Sequence, residues 1–333
     1  MAQVFGSYSA SKIQYGREAT AGTAVAATGI WRGAFAMLED ARTRTIVEEQ
    51  IGLMVQAERS YDSAYLGRLA MPSTPLTYEQ VPHILEAGIG TVSPSGSGPY
   101  VYTYTLPTGN TPNTLKTYTL EAFNAVADDD MREMEYSFVE EFEFSMTAGE
   151  AWQMSATWAG RQLSNTSPTS LSTLLTVEEA LGARTKVYID ATGGTLGATQ
   201  KTGVLMGASM RVVTGWKPIP VGDGNLYFAA IKMTMPEITF SLTLELEETS
   251  DVSLVASERT AYEADAVRLF RLELDGSDAN HAMVLDWAGK YDSIGNYENS
   301  DGNTTVTLEG HGVYSSTDSE YWECAVTNSI ASL

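Results

Sequence analysis

The sequence predicts a mainly β, α+β chain with short helices. Long segments alternate apolar and polar residues, which is the period of a half-buried strand. Glycine, serine, threonine and asparagine punctuate these segments as turns, and no long helical period intervenes. Charge is the third observation: 42 Asp+Glu stand against 20 Lys+Arg, a net charge of -22 over 333 residues. Many of the acids lie on the polar parity of the alternating segments.

Residues 1–60 read as an N-terminal arm and loop with short strands. Ile30, Trp31, Phe35, Met37 and Leu38 give this arm apolar anchors for docking onto something. A first β unit is expected over 61–165 and a second over 166–333, and a single domain with insertions is the other division. Thr77 and Gln80 have capping-box spacing, Pro82 fits a first helical turn, and Gly88 and Gly90 end the run, so a short helix is expected there. Strands follow over 100–106 and 116–123, joined by the turn around Pro107, Gly109 and Asn113. The Ser/Thr/Asn-rich stretch 162–173 is the internal boundary. A second short helix is expected from Thr176, with Glu179 at capping-box spacing, to Gly182. Strands then follow near 185–190, 204–213, 226–247, 266–274, 282–287, 303–314 and 321–327. One helix and several strands in each half suggest a duplicated unit.

The acidic faces come from parity. In 238–248, Ile238, Phe240, Leu242, Leu244 and Leu246 share one side, and Thr239, Ser241, Thr243, Glu245 and Glu247 the other. In 133–158, Met134, Tyr136, Phe138, Phe142, Phe144 and Met146 share a side. After a turn at Ala148-Gly149-Glu150, Trp152, Met154, Ala156 and Trp158 continue it, with Glu141 and Glu143 opposite. Such faces read either as solvated surface or as a wall that does not hold a polyanion. Duplex DNA carries about one negative charge per 1.7 Å of axis, so an acidic chain with no basic stripe is a poor DNA binder.

With 43% hydrophobic and 10% aromatic residues the chain has the composition of an ordered protein. Cys324 is the only cysteine, which excludes an intrachain disulfide and fits a reducing cytoplasm. The start, Met1 to Tyr8, lacks a basic stretch followed by an apolar one, and no apolar run approaches the roughly 18 residues of a membrane span. A soluble chain that is not exported is expected.

The residues suggest no catalyst and no cofactor. His83, His281 and His311 lack ligand spacing and read as surface or turn residues. The run from Gly193 to Thr202 resembles a phosphate loop only faintly, since Gln200 stands where a glycine belongs, and reads as a hairpin turn. Asp301-Gly302-Asn303 has the opening of a calcium loop, but Leu308 stands where the bidentate glutamate belongs. Glu140, Glu141 and Glu143 with Trp152 and Trp158 suggest a glycosidase, yet the tryptophans fall on the opposite parity from Glu141 and Glu143.

Several stretches together resemble the tail tube proteins of long-tailed, siphovirus-like bacteriophages. They are 266–276, 283–289 with Asp286-Trp287-Ala288-Gly289, 299–306, and 321–328 with Tyr321-Trp322-Glu323-Cys324. The arm 16–24, the helix segment 77–90 and the Val187-Tyr188-Ile189-Asp190 strand are similar as well. The resemblance implies β-sandwich or tube-type modules with flanking helices, whose inner strands form a continuous barrel in a ring. With two fused units, three chains would make a pseudo-sixfold ring; with one unit the ring would be a hexamer. It further implies a non-enzymatic virion protein whose stacked rings conduct DNA during ejection. Its partners would be itself, a tape-measure protein, tail terminator and distal tail proteins, and DNA only in transit, with no membrane contact. Glu140, Glu141, Glu143, Glu245 and Glu247 are the candidate lumen-facing acids on this reading. A surface carbohydrate-binding β-sandwich is the alternative function.

Overall fold

The computed structural model describes residues 7–54, 58–126, 131–169, 171–246, 248–249 and 252–333. In chain order these form β1 (Ser11–Arg17), β2 (Gly29–Ile30), β3 (Glu39–Asp40), β4 (Thr43–Ile46), β5 (Ser60–Ala64) and β6 (Gly67–Pro75). Helix α1 (Val81–Gly88), β7 (Tyr100–Thr105), β8 (Tyr118–Asn124), β9 (Arg132–Thr147), β10 (Gln153–Gly160) and β11 (Leu163–Asn165) follow. Next come β12 (Thr185–Ala191), β13 (Gln200–Lys201), β14 (Leu205–Val213), β15 (Trp216–Ile219), β16 (Ala230–Met233) and β17 (Glu237–Glu245). The chain continues through β18 (Glu248–Thr249), β19 (Val252–Ser253), helix α2 (Leu254–Glu263), β20 (Arg268–Asp275) and β21 (Ala282–Ile294). It closes with β22 (Glu298–Ser300), β23 (Asn303–Gly312) and β24 (Trp322–Asn328).

One set of antiparallel pairings occurs twice. In the first half β1 pairs with β2 and β8, β3 with β6, β6 with β10, β10 with β9, and β9 with β8 and β11. In the second half β12 pairs with β13 and β20, β14 with β17, β17 with β23, β23 with β21, and β21 with β20 and β24. The β4–β5 hairpin follows β3 as the β15–β16 hairpin follows β14. Helix α1 packs on β9, and α2 on β21. β9 and β21 are the long strands because each serves two sheets, one with its first half and another with its second.

The two halves join twice: β24 pairs with β7, from Glu323 opposite Thr105 to Asn328 opposite Tyr100, and β14 pairs with the second half of β9, from Gly207 opposite Thr147 to Val213 opposite Glu141. The second junction builds the larger ladder. The result is an eight-strand antiparallel ladder, β3-β6-β10-β9-β14-β17-β23-β21, with β22 continuing β21 along β23. Its apolar side carries Phe142, Phe144, Met154, Trp158, Met210, Leu242 and Leu244. With Trp287, Phe270 and Trp322 from the other strands, these belong to one main core. Full burial of a side chain such as Phe144 is worth about 2 to 3 kcal/mol, so this alternation sets the register.

The structure corrects the expected barrel. Among the described residues, pairings branch at β9, β21 and β23 but never return to their starting strand, so no sheet closes into a barrel or ring. The ladder ends in open edges, at the two-residue β3 on one side and at β21 and β22 on the other. The chain is a large β-rich sheet system with short helices.

Other elements differ from expectation for local reasons. Helix α1 begins at Val81 with Gln80 as its N-cap, so Thr77 lies too early to close a capping box. No helix forms from Thr176: Glu179 bridges Thr77, Leu181 bridges Ala151, and only a 3₁₀ turn follows at Gly182–Arg184. The second helix is α2, whose buried side contains Val255 and Glu258. The first strand, inside the expected arm, pairs along its whole length with β8. Among the described residues no helix is long and apolar enough to cross a membrane.

Parity fails at Tyr136 and Phe138. β9 shifts register between its Met134 and Ser137 pairings with β8, where Tyr136 has φ 53, and again where Thr157 faces Glu141 but Trp158 faces Val139. Each bulge turns the following residues over. Met134, Phe142 and Phe144 therefore reach the main core, while Tyr136 and Phe138 join a smaller one with Ala159, Trp216 and Phe228. The β15–β16 hairpin covers that second cluster from the polar side of the ladder.

Candidate functional site

The opposite side of the eight-strand ladder is a broad polar face. Successive strands carry hydroxyls across it in one row, Ser145 opposite Ser209 and Ser209 opposite Ser241, with Ser241 facing Glu309 and Glu309 facing Ser293. The next row runs from Glu143 to Arg211, Thr239, His311 and Lys290. A shallow groove of about 370 Å³ lies between Glu143, Arg211, Thr239, Asp292 and Glu309.

The structure brings most of the sequence-derived acids to this face. Glu141 and Glu143 project from β9, and Glu141 is ion-paired with Arg211 across the β9–β14 junction. Glu140 is the extra residue of the second β9 bulge; its Oε2 accepts from Arg68 Nη1 at 2.8 Å. Burial pushes the Glu140 carboxyl above its ordinary value, and Arg68 pulls against that shift. Glu245, at the end of β17, pairs with Thr305 on β23. Glu247 lies outside the described residues. Exposed ion pairs of this kind are worth at most about 1 kcal/mol each, so the face is a surface rather than a source of stability.

Sequence reasoning missed Glu309, Asp292, Arg68 and Arg211. Glu309 was legible, since Val306 and Leu308 alternate with Thr307 and Glu309 in 303–312. Asp292 was not, because it occupies a bulge between the Tyr291 and Ser293 pairings. His311 Nδ1 lies 2.5 Å from Asp292 Oδ1.

The remaining constellations take structural roles. Trp152 and Trp158 are 0% and 2% exposed, on the core side of β10, and offer no platform to a sugar. His83 is buried on α1, its Nδ1 3.0 Å from the Tyr118 hydroxyl, and burial pushes its pKa down to about 3. The Gly197 and Ala198 amides both donate to Asp190, at 2.9 and 3.1 Å, so this turn presents no free cradle for a phosphate. Asp301 and Gly302 form the turn between β22 and β23, both with positive φ.

His281 sits among carboxylates from three segments. Its Nε2 is 2.9 Å from Glu79, and its Nδ1 is 3.1 Å from both Glu178 and Asp278. Among the described residues Glu178, Asp278 and His281 are the one group whose ligand atoms could surround a cation. Both ring nitrogens are already engaged, so the arrangement works as a tie between the residues before α1, the connection of the two halves and the β20–β21 turn.

Each helix carries a buried glutamate held by an arginine and a tyrosine. Glu86 of α1 accepts from Arg17 Nε at 2.8 Å and from the Tyr118 hydroxyl at 2.6 Å. Glu258 of α2 accepts from Arg268 at 2.7 and 2.8 Å and from the Tyr291 hydroxyl at 2.9 Å. Burial and the adjacent glutamate push both tyrosine pKa values up and keep the phenols as donors.

No protein-family model matches the chain, and no curated protein matches it.

Proposed function

We propose that the chain is a structural virion protein, the tail tube subunit of a long-tailed bacteriophage. It is made in the host cytoplasm and self-assembles into stacked rings that conduct DNA during ejection. The observation that carries this reading is the β9–β14 junction: two equivalent four-strand sets meet edge to edge in one chain, and both outer ends are left open. A protein built this way is suited to adding copies of itself. With two sets per chain, three chains supply six, the pseudo-sixfold ring that the tail-tube resemblance implies.

The polar face supports the same reading. Glu140, Glu141, Glu143, Glu245 and Glu309 are set in a field of serine and threonine, and the cations on this face, Arg68, Arg211 and Lys290, are each ion-paired with an acid, so the acidic excess repels phosphates at short range. Turned toward a channel, such a wall lets DNA slide. In assembly the channel would first hold a tape-measure protein, and tail terminator and distal tail proteins would cap the tube.

Electron microscopy of the concentrated full-length protein tests the proposal. Rings or tubes with threefold symmetry and a hollow centre are the expected images. A compact monomer at every concentration and salt condition would overturn it.

A further inference from the structure

We infer that the β20–β21 turn and the connection between the two halves together form a site for one divalent transition-metal ion of the zinc type. Its ligands are His281 Nδ1, Asp278 Oδ1 and Glu178 Oε2. The inference stands apart from the tail-tube reading and uses a cluster on which that reading does not draw. Among the described residues these three side chains are the one group of possible metal ligands whose donor atoms all lie within 4.8 Å of one another.

The spacing suits a metal. Nδ1 lies 3.1 Å from the Glu178 carboxylate and 3.1 Å from that of Asp278. Ligands held tetrahedrally at about 2.0 to 2.1 Å from zinc stand about 3.3 Å from one another, so small side-chain adjustments admit the ion. An unprotonated Nδ1 faces these two carboxylates lone pair against lone pair. A metal ion relieves that repulsion, and so does a proton, which makes acid the natural competitor of the metal. An imidazole nitrogen beside carboxylate oxygens fits zinc, whereas calcium and magnesium take oxygen ligands. The Asp278 side chain is 53% exposed, which leaves a fourth position open to water.

The surroundings hold each ligand in place. On the other side of the ring Nε2 lies 2.9 Å from Glu79, which is buried. A carboxylate accepting from Nε2–H fixes the tautomer that turns the Nδ1 lone pair toward the two acids, the usual support of a zinc-bound histidine. The Glu178 carboxylate accepts from the Ser277 amide and, at 2.9 Å, from the Ser277 hydroxyl. Asp278 accepts from the Asn280 amide and side chain, both at 2.9 Å, and these bonds hold its carboxyl below the ordinary range. Among the described residues Arg184, 3.8 Å from Glu178, is the one arginine or lysine paired with Glu79, Glu178 or Asp278. The cluster therefore carries an excess of negative charge that a divalent ion offsets. Bound there, the ion would fasten the connection of the two halves to the β20–β21 turn.

Titration calorimetry of the chelator-treated full chain with zinc ion at neutral pH, repeated as thermal unfolding with and without zinc, tests the site. One ion per chain and a raised unfolding temperature are expected, with binding that weakens as the pH falls and Nδ1 takes a proton. His281→Gln should abolish the one-to-one binding. Asp278→Asn should weaken it by at least roughly tenfold, and because Asp278 is so exposed this variant reads the site even where His281→Gln unfolds. Glu79→Gln keeps all three ligands and should weaken binding roughly tenfold through the orientation of the ring. A wild-type chain that takes up no zinc would overturn the site, as would wild-type affinity in both ligand variants. Calcium bound as tightly as zinc would overturn it too, by showing a surface of acids rather than a ligand set built on His281. Each of these outcomes leaves the tail-tube proposal standing.

Discussion

Glu140 on β9 and Asp292 on β21 occupy the same bulge in two copies of one strand. In both places one extra residue is inserted where the strand passes from one sheet to the other, and its acid reaches the polar face. Shared irregularity relates the halves more firmly than shared strands would, since bulges are specific local features.

Removing Arg268 should strand Glu258, which is 0% exposed, without its cation. Arg268→Met is expected to cost about 3 to 5 kcal/mol in urea unfolding. Pairing it with Glu258→Leu should restore much of the loss. A single variant within about 1 kcal/mol of wild type would show that the pair does not anchor α2.

At Gly310 an added methyl would collide with the Lys290 carbonyl and the Phe240 ring. The backbone contact cannot yield as a flexible side chain would. Gly310→Ala should lower stability by about 1 to 3 kcal/mol, read by thermal or chemical unfolding. An unchanged midpoint would mean that β21 and β23 are less closely apposed at the bulge.

Glu320 has its pKa pushed up to about 7 by burial, with Asp286 and Glu323 adding repulsion. The folded state keeps this proton to a higher pH than the unfolded chain, whose carboxyl titrates near 4.5. Its contribution to stability is thus greatest at low pH and is lost as pH rises from about 4.5 through about 7. Glu320→Gln should stabilise the protein at pH 8 by about 1 kcal/mol, a figure discounted for the half-exposed site, and by nothing near pH 4.5. A gain that does not depend on pH would argue against titration of this carboxyl.

If the chain is the tail tube subunit proposed above, neutralising Glu141, Glu143 and Glu245 to glutamine should leave folding and assembly intact while slowing DNA release from virions that carry the variant. Loss of the Glu141–Arg211 pair should cost less than about 1 kcal/mol, because both side chains are well exposed. Release at the wild-type rate from intact particles would remove this face from the DNA path.

Much of the fold was legible wherever a strand stayed regular. Ile238, Phe240, Leu242 and Leu244 are buried as their parity predicts, and Thr239, Ser241, Thr243 and Glu245 lie opposite. Parity misplaced Tyr136 and Phe138 because nothing in the composition around them marks a bulge. Helix α2 escaped because its buried side contains a glutamate, which makes sense only once Arg268 and Tyr291 surround it. The duplication was faint in sequence because matching positions exchange volume. Leu69, Trp158 and Val139 form a row in the first half, and Phe240, Gly310 and Tyr291 form it in the second. The arginine and tyrosine holding the helix glutamate also moved, from β1 and β8 to β20 and β21. Of the acidic face, the regular-strand members could be read in advance, and the bulged Asp292 could not.

The junction between β9 and β14 has a kinetic consequence. Its two strands belong to the same polypeptide, so they meet at the effective concentration of an intramolecular contact rather than by collision between molecules. Every second junction of an assembly would thus be complete as each chain folds, before any two molecules meet. Only the alternate junctions would feel protein concentration, which leaves a growing particle half as many encounters to wait for and a single kind of contact to regulate.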